Sequence, residues 1–165
     1  PGGTSLGEEV RRIVKSPDIP ASPMAQLALI LASRAQLNDE VFESIRRTKR
    51  QRAMVVLDRY IPSTYAYRPD IPEFLVDDVH ELFSFPKPEL YLFLDAPMEV
   101  LMERVSANKS VADRFDHQAR EVIERRIKDY RYLAEKFEGV VINTNKDLDT
   151  VAQDILETVT RKLRL

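Results

Sequence analysis

Cysteine and tryptophan are both absent from these 165 residues. Without cysteine there can be no disulfide, no thiolate nucleophile and no thiolate zinc site. Histidine is almost as scarce. His80 and His117 stand far apart with no second metal-type ligand at helical spacing, so both read as solvated or hydrogen-bonded structural residues rather than as part of a metal cage. Of the four glycines, Gly2, Gly3 and Gly7 open the chain and only Gly139 serves the rest. A loop that cradles phosphate with backbone N–H groups needs glycine for close approach and positive φ, so no such loop can form after residue 7. Any phosphate grip in this chain must come from side chains. Neither sign of charge dominates: 25 Lys+Arg stand against 27 Asp+Glu. That balance argues against a nucleic-acid or membrane-surface partner, while a small anionic ligand needs only a local basic cluster. No apolar stretch is long enough to span a bilayer and no signal-peptide pattern is present, so the cytoplasm is the expected compartment.

What the chain does have suits one globular domain over residues 1–165, with 44% hydrophobic and 32% charged residues. Ser5 with Glu8 has the spacing of a capping box, and Val10, Ile13 and Val14 give the following helix an apolar side. Pro17, Pro20 and Pro23 stiffen the connection to a long helix over Met24 to Ile45. Its first half, Leu27 to Ala32, is apolar all round, as a helix covered on two sides would be; the second cover is either the core of one chain or a second subunit. Met54 to Leu57, Leu90 to Leu94 and Gly139 to Ile142 read as short strands. Asp70-Ile-Pro72 starts a helix that ends near Phe85, and Asp95 with Pro97 starts another. Ile123, Ile127, Tyr130, Ala134 and Phe137 stripe the next helix, and Leu148, Val151, Ile155, Val159 and Leu163 the last. Alternating strands and helices predict a three-layer α/β/α fold around a mostly parallel sheet. Three strands are few for such a sheet, so the chain reads as the C-terminal portion of a longer polypeptide.

The chemistry concentrates after the first of those strands. Met54-Val-Val-Leu57 carries no charge and runs directly into Asp58, Arg59, Ser63, Thr64, Tyr65 and Tyr67. Open α/β sheets bind ligands beyond the carboxyl ends of their strands, and here an acid, a base and four hydroxyls fall within one expected loop. A bare strand-end turn with a surface ion pair is the plainer reading of Asp58-Arg59, but it leaves that clustering unaccounted for.

Six segments in this order resemble the thymidylate kinase family, within the P-loop nucleoside monophosphate kinases. They are Pro1-Gly-Gly-Thr4-Ser-Leu-Gly7-Glu8, Leu31-Ala-Ser-Arg34-Ala-Gln36, Asp58-Arg59-Tyr60 with Ser63 and Tyr65-Ala-Tyr67, Leu92-Phe-Leu-Asp95-Ala-Pro97 with Arg104, Asp113-Arg114-Phe115-Asp116, and Tyr130 with Leu133-Ala134. The resemblance covers essentially the whole chain. It implies transfer of the γ-phosphoryl of ATP to dTMP, giving dTDP, with Mg²⁺ and a homodimeric assembly.

The same resemblance assigns roles residue by residue. Arg59 would hold the dTMP phosphate, and Asp58 would organise the Mg²⁺ shell or the basic groups at the reaction centre. Arg34 would hydrogen-bond the thymine edge, with Ser63 and Pro1 also in the acceptor site. Thr64 would contact the base, and Tyr67 would lie against C2′ of the sugar. Ile30 stands where the family often has a Phe that stacks on the base. A lid is expected around residues 104–116, with Arg114 contacting ATP and Arg104 behind it, because lids need cations that close over phosphates. Lys109 reads as solvated charge. Asn143 and Asn145 fall in the segment that would contact adenine. The family's Gly-rich phosphate loop, with its Lys, would lie upstream of Pro1. Two other readings stay open: a relative acting on another deoxynucleotide or a deoxynucleoside, and a non-catalytic nucleotide-binding or dimerisation subunit. An upstream G-x-x-x-x-G-K-[ST] separates the kinases from the binder.

Overall fold

The computed structural model describes residues 2–48, 53–107 and 120–164. These form two compact units, one within residues 1–85 and the other from Pro86 onward.

The first unit is helical. Helix α1 (Ser5–Lys15) turns Val10 and Val14 inward and packs on α2 (Pro23–Thr48). The cap of α1 differs from the expectation. Thr4, not Ser5, is the N-cap: its hydroxyl accepts from the Gly7 N–H at 2.8 Å, and the Glu8 carboxylate accepts from the Gly3 N–H at 3.2 Å. Gly3 can supply that turn because its φ is +80°. Along α2, Gln26, Leu27, Leu31, Ser33 and Arg34 are buried, whereas Ala28 and Ala32 are exposed. Within the chain the apolar run therefore has one covered side. Helix α4 (Glu73–Leu82) begins just after Pro72, as its sequence predicts, and buries Val76 and His80.

Two departures fall between α2 and α4. Met54 to Leu57 forms no strand, and Val56 is 84% exposed. A strand exists only where a neighbour completes its hydrogen-bond ladder, and among the described residues nothing pairs with this segment. The hydroxyl-rich segment expected as a loop is instead helix α3 (Ile61–Tyr67), with proline in its first turn. Seven residues cannot hold a helix by propensity alone. Burial of Ile61, Pro62, Thr64, Tyr65 and Ala66, together with packing on α4, supplies the difference.

The second unit contains the sheet: β1 (Leu92–Asp95) and β2 (Val140–Asn143), paired in parallel with Leu92 opposite Val140 and Asp95 opposite Asn143. The remaining helices are α5 (Met98–Ala107), α6 (Arg120–Lys136) and α7 (Leu148–Leu163). Cα partners across a parallel pair point to the same face, so Phe93 shares one face with Val141 and Leu94 shares the other with Ile142. Only one member of each pair is buried, Phe93 on β1 and Ile142 on β2. Helix α6 packs on β1, with Tyr130 edge-on to Phe93 at 6.5 Å between ring centroids, and α7 packs on β2. The two strands are thus each buried on opposite faces, which is compatible with the expected helix–sheet–helix layering, but among the described residues there are two strands rather than three. Gly139 fits the entry to β2 because a Cβ there would meet the Phe93 ring at 2.5 Å.

Candidate active site

In the first unit the predicted residues converge on α3. Thr64 and Tyr67 are three apart on one helix, so they share a face. Each meets an arginine. The Thr64 hydroxyl accepts from Arg34 Nη2 at 3.1 Å, and the Tyr67 hydroxyl accepts from Arg59 Nη1 at 2.8 Å, with the Arg59 guanidinium 5.5 Å from the Tyr67 ring centre. Arg59 itself is exposed and left-handed, at φ +66°, so the chain bends sharply between Asp58 and α3. Asp58 is exposed, and Ser63 and Ile30 are half-buried.

Arg34 is the opposite case, an arginine with 8% of its surface exposed. Burying a guanidinium costs several kcal/mol unless its donors are satisfied. Nη2 also donates to the Tyr60 carbonyl at 3.3 Å, Nη1 donates to His80 Nε2, and the rings of Tyr60 and Phe85 lie 4.8 and 5.7 Å from the guanidinium carbon. Two arginine residues of the same unit are therefore held in opposite ways: one locked inside, one presented to solvent.

His80 accepts from Arg34 because its other nitrogen is occupied. Nδ1–H donates to the Val76 carbonyl, which leaves the Nε2 lone pair for the guanidinium. Burial lowers its pKa below the ordinary 6.5; the Val76 carbonyl opposes that, the positive charge of Arg34 reinforces it, and Asp77 opposes it. Asp77 in turn accepts from the Tyr65 hydroxyl. A further buried arginine, Arg68, donates to Gln26 Oε1 and to the Tyr67 carbonyl, both at 2.6 Å, tying the end of α3 to α2.

In the second unit the predicted residues lie where the strands end. Thr144, directly after β2, donates its hydroxyl to the Asp95 carbonyl at 3.0 Å, and Arg104 on α5 donates to the Thr144 hydroxyl at 3.0 Å and carbonyl at 2.8 Å. Asn143 and Asn145 flank this contact and are exposed, the Asn143 side chain accepting from the Asn145 N–H at 2.8 Å. Arg131 on α6 grips the Asp95 carboxylate through Nε at 2.9 Å and Nη2 at 3.1 Å. Pro1, Lys109, Arg114 and His117 lie outside the described residues, as does most of the expected lid.

Sequence alone marks neither the Arg131 grip on Asp95 nor the partners of His80, whose expected standing as a hydrogen-bonded structural residue the contacts bear out. That standing had a signal: His80 follows Val76 by one helical turn on the apolar side of α4, a position where a polar ring must find partners. Among the described residues no group of three His, Cys, Asp or Glu side chains could hold a metal ion. A magnesium ion bound mainly through phosphates and water needs only one or two carboxylates, and exposed Asp58 can serve as one of them. No described helix is long and apolar enough to cross a membrane.

Helices packed on a parallel strand pair make the second unit α/β, and each unit sets arginines against hydroxyls. Comparison with known proteins narrows this. The family model for thymidylate kinase matches residues 1–155. The chain is 32% identical to a thymidylate kinase of Pseudomonas fluorescens over 95% of its length and 80% of that protein. It is 30% identical to one from Thermosipho africanus, over 99% of the chain and 82% of the relative, and 32% identical to one from Neisseria meningitidis, over 94% and 76%. The chain belongs to the thymidylate kinase family.

The Arg34 lock makes a prediction about stability. Thr64→Val keeps the side-chain shape at a site only 2% exposed but removes an acceptor for the guanidinium. Unfolding by urea should show a loss of about 1–3 kcal/mol. A change under about 0.5 kcal/mol would mean that the hydroxyl contributes nothing to holding Arg34.

Proposed function

We propose that this protein is a thymidylate kinase that transfers the γ-phosphoryl of ATP to dTMP. In that reaction an oxygen of the dTMP phosphate bonds to the γ-phosphorus as the bond from that phosphorus to the β,γ-bridging oxygen breaks, giving dTDP and ADP. Such transfer depends mainly on positioning and charge neutralisation rather than on covalent chemistry by the protein. The observation that carries the reading is the pair of contacts from one face of α3: Thr64 to the buried Arg34 and Tyr67 to the exposed Arg59. A nucleoside monophosphate has a neutral, hydrogen-bonding base at one end and a dianionic phosphate at the other. An arginine held rigid by packing suits the first, and a solvent-facing one suits the second.

Arg59 holds the acceptor phosphate, Arg34 and Thr64 meet the thymine, Ser63 adds a hydroxyl to the acceptor site, and Tyr67 packs on the sugar at C2′. Ile30 closes the base end without an aromatic face. Pro1, outside the described residues, belongs to the acceptor side by the family pattern. On the donor side, Arg104, Asn143 and Asn145 serve ATP, joined by Arg114. Mg²⁺, when bound, neutralises charge on the transferring phosphates, and Asp58 is the carboxylate of this chain that would orient its hydration shell. In this reading the chain has the three-layer P-loop nucleoside monophosphate kinase fold and acts in the cytoplasm.

The acceptor assignment has a direct test. Arg59→Ala leaves the backbone no worse strained at φ +66°, since both side chains carry a Cβ, and removes little packing from an exposed position. The variant should fold normally while kcat/KM for dTMP falls at least about tenfold, or ~1.4 kcal/mol of transition-state stabilisation. A smaller loss contradicts Arg59 as the phosphate ligand.

Assembly is part of the proposal. The exposed alanines Ala28 and Ala32, with Met24 53% exposed, lie on α2 and would form a two-fold interface that pairs the same helix from two copies. Sedimentation should give a dimer at micromolar concentration, and a monomer there contradicts it.

A further inference from the structure

We propose that His80 is a positioning residue for Arg34, and that it makes capture of the acceptor nucleotide sensitive to pH. The inference rests on the reading in which Arg34 meets the acceptor base, and it adds to that reading a residue that touches no substrate.

The geometry begins with a tautomer. Val76, one turn earlier on α4, takes the Nδ1 proton of His80, so the neutral ring presents an acceptor at Nε2 toward Arg34 Nη1. Thr64 and the Tyr60 carbonyl hold Nη2 from α3 and its entry. Tyr60 and Phe85 flank the guanidinium, and Phe85 also meets the His80 ring edge-on at 5.6 Å. The two amino groups of Arg34 are thus fixed by different elements. Removing the His80 acceptor takes away the hold that α4 has on the guanidinium.

Protonation removes that acceptor without any change in sequence. A protonated ring carries a donor at both nitrogens, so Nε2–H would face a cationic donor across the same contact. The charged groups that bear on the ring are Arg34 from α2, which opposes protonation, and Asp77 on α4, which favours it while accepting from the Tyr65 hydroxyl of α3. Burial is the largest influence and acts with Arg34, so the folded value lies below 6.5. The direction of the effect follows. In the unfolded chain the ring takes up its proton near 6.5, before the folded protein does, so the unfolded state binds more protons between the two values. The neutral contact is complete above pH 6.5, and it is lost as the pH falls through the lower folded value. Acceptor KM should stay flat above that window and rise on its acid side.

The phosphate of dTMP itself titrates near pH 6, so the decisive comparison is between variants with the same nucleotide. Steady-state kinetics of the full chain with dTMP would be measured from pH 5 to 8 for the wild type, His80→Gln, His80→Phe and Arg34→Ala. Glutamine offers a carbonyl acceptor that does not titrate. His80→Gln should match the wild-type KM at neutral pH and show a smaller acid rise. His80→Phe should raise KM about tenfold over the wild type above pH 6.5 with little change in kcat, the loss expected when a charged donor is deprived of its acceptor, and the gap should close as the wild-type ring takes up its proton. Wild-type KM and pH profile in both His80 variants overturn the proposal; if Arg34→Ala raises KM in the same series, the base-reading role of Arg34 stands without it. An unchanged KM in Arg34→Ala overturns the reading and the proposal together. Should His80→Phe fail to fold, the profile of His80→Gln against the wild type decides alone. Ring-nitrogen NMR gives a readout free of turnover: a neutral, Nδ1-protonated His80 at pH 6.5 is expected, and a ring mostly protonated there contradicts the assignment.

Discussion

A guanidinium buried to within 8% of full enclosure is the constraint around which the first unit is arranged. A charge in that position is tolerable only if its donors find acceptors in fixed directions, and those acceptors come from three separate places. Helix α3 supplies Thr64, the bend before it supplies the Tyr60 carbonyl, and α4 supplies His80. The requirement accounts for why α3, held by its own burial and by packing on α4, turns Thr64 inward. It also explains why the acceptor histidine is kept neutral, since burial and the guanidinium itself both oppose its protonation.

A second arginine depends on the same helix in a different way. Arg59 stays in solvent and leans on Tyr67, one turn along α3 from Thr64. Orientation of Arg34 and Arg59 therefore passes through a single short element, so damage to α3 affects both. Rigidity at one end and exposure at the other suit a ligand whose base must be read and whose phosphate must be gripped and then released. The ends of β1 and β2 follow a related logic. Asp95 is held by Arg131 from α6, and Thr144 is held by Arg104 from α5, so two helices fix where the strand ends present their polar groups.

Much of this was legible in the chain itself. The helix over α2, the helix after Pro72, and the two strands at Leu92 and Val140 all follow from periodicity and proline placement, because those signals are local. Asp58, Arg59, Thr64 and Tyr67 stood out because chemistry-bearing residues clustered after an apolar run. Both segments that differ from expectation are decided by tertiary context. Met54 to Leu57 has every property of a strand except a partner, and partnership is not written in the segment. Helix α3 was hidden for the reverse reason: Ser63, Thr64 and Tyr65 disfavour helix locally, and burial against α4 overrides that preference. Distant pairings such as Arg131 with Asp95 and His80 with Arg34 depend on how elements pack, so no spacing rule could reveal them.

The central claim is that Arg34 and Arg59 hold opposite ends of one nucleotide. A crystal structure of the protein with dTMP tests it most directly. The account predicts thymine within hydrogen-bonding reach of the Arg34 guanidinium, the sugar against Tyr67 and the phosphate on Arg59. A nucleotide bound with its phosphate at Arg34, or bound away from α3 altogether, would contradict it.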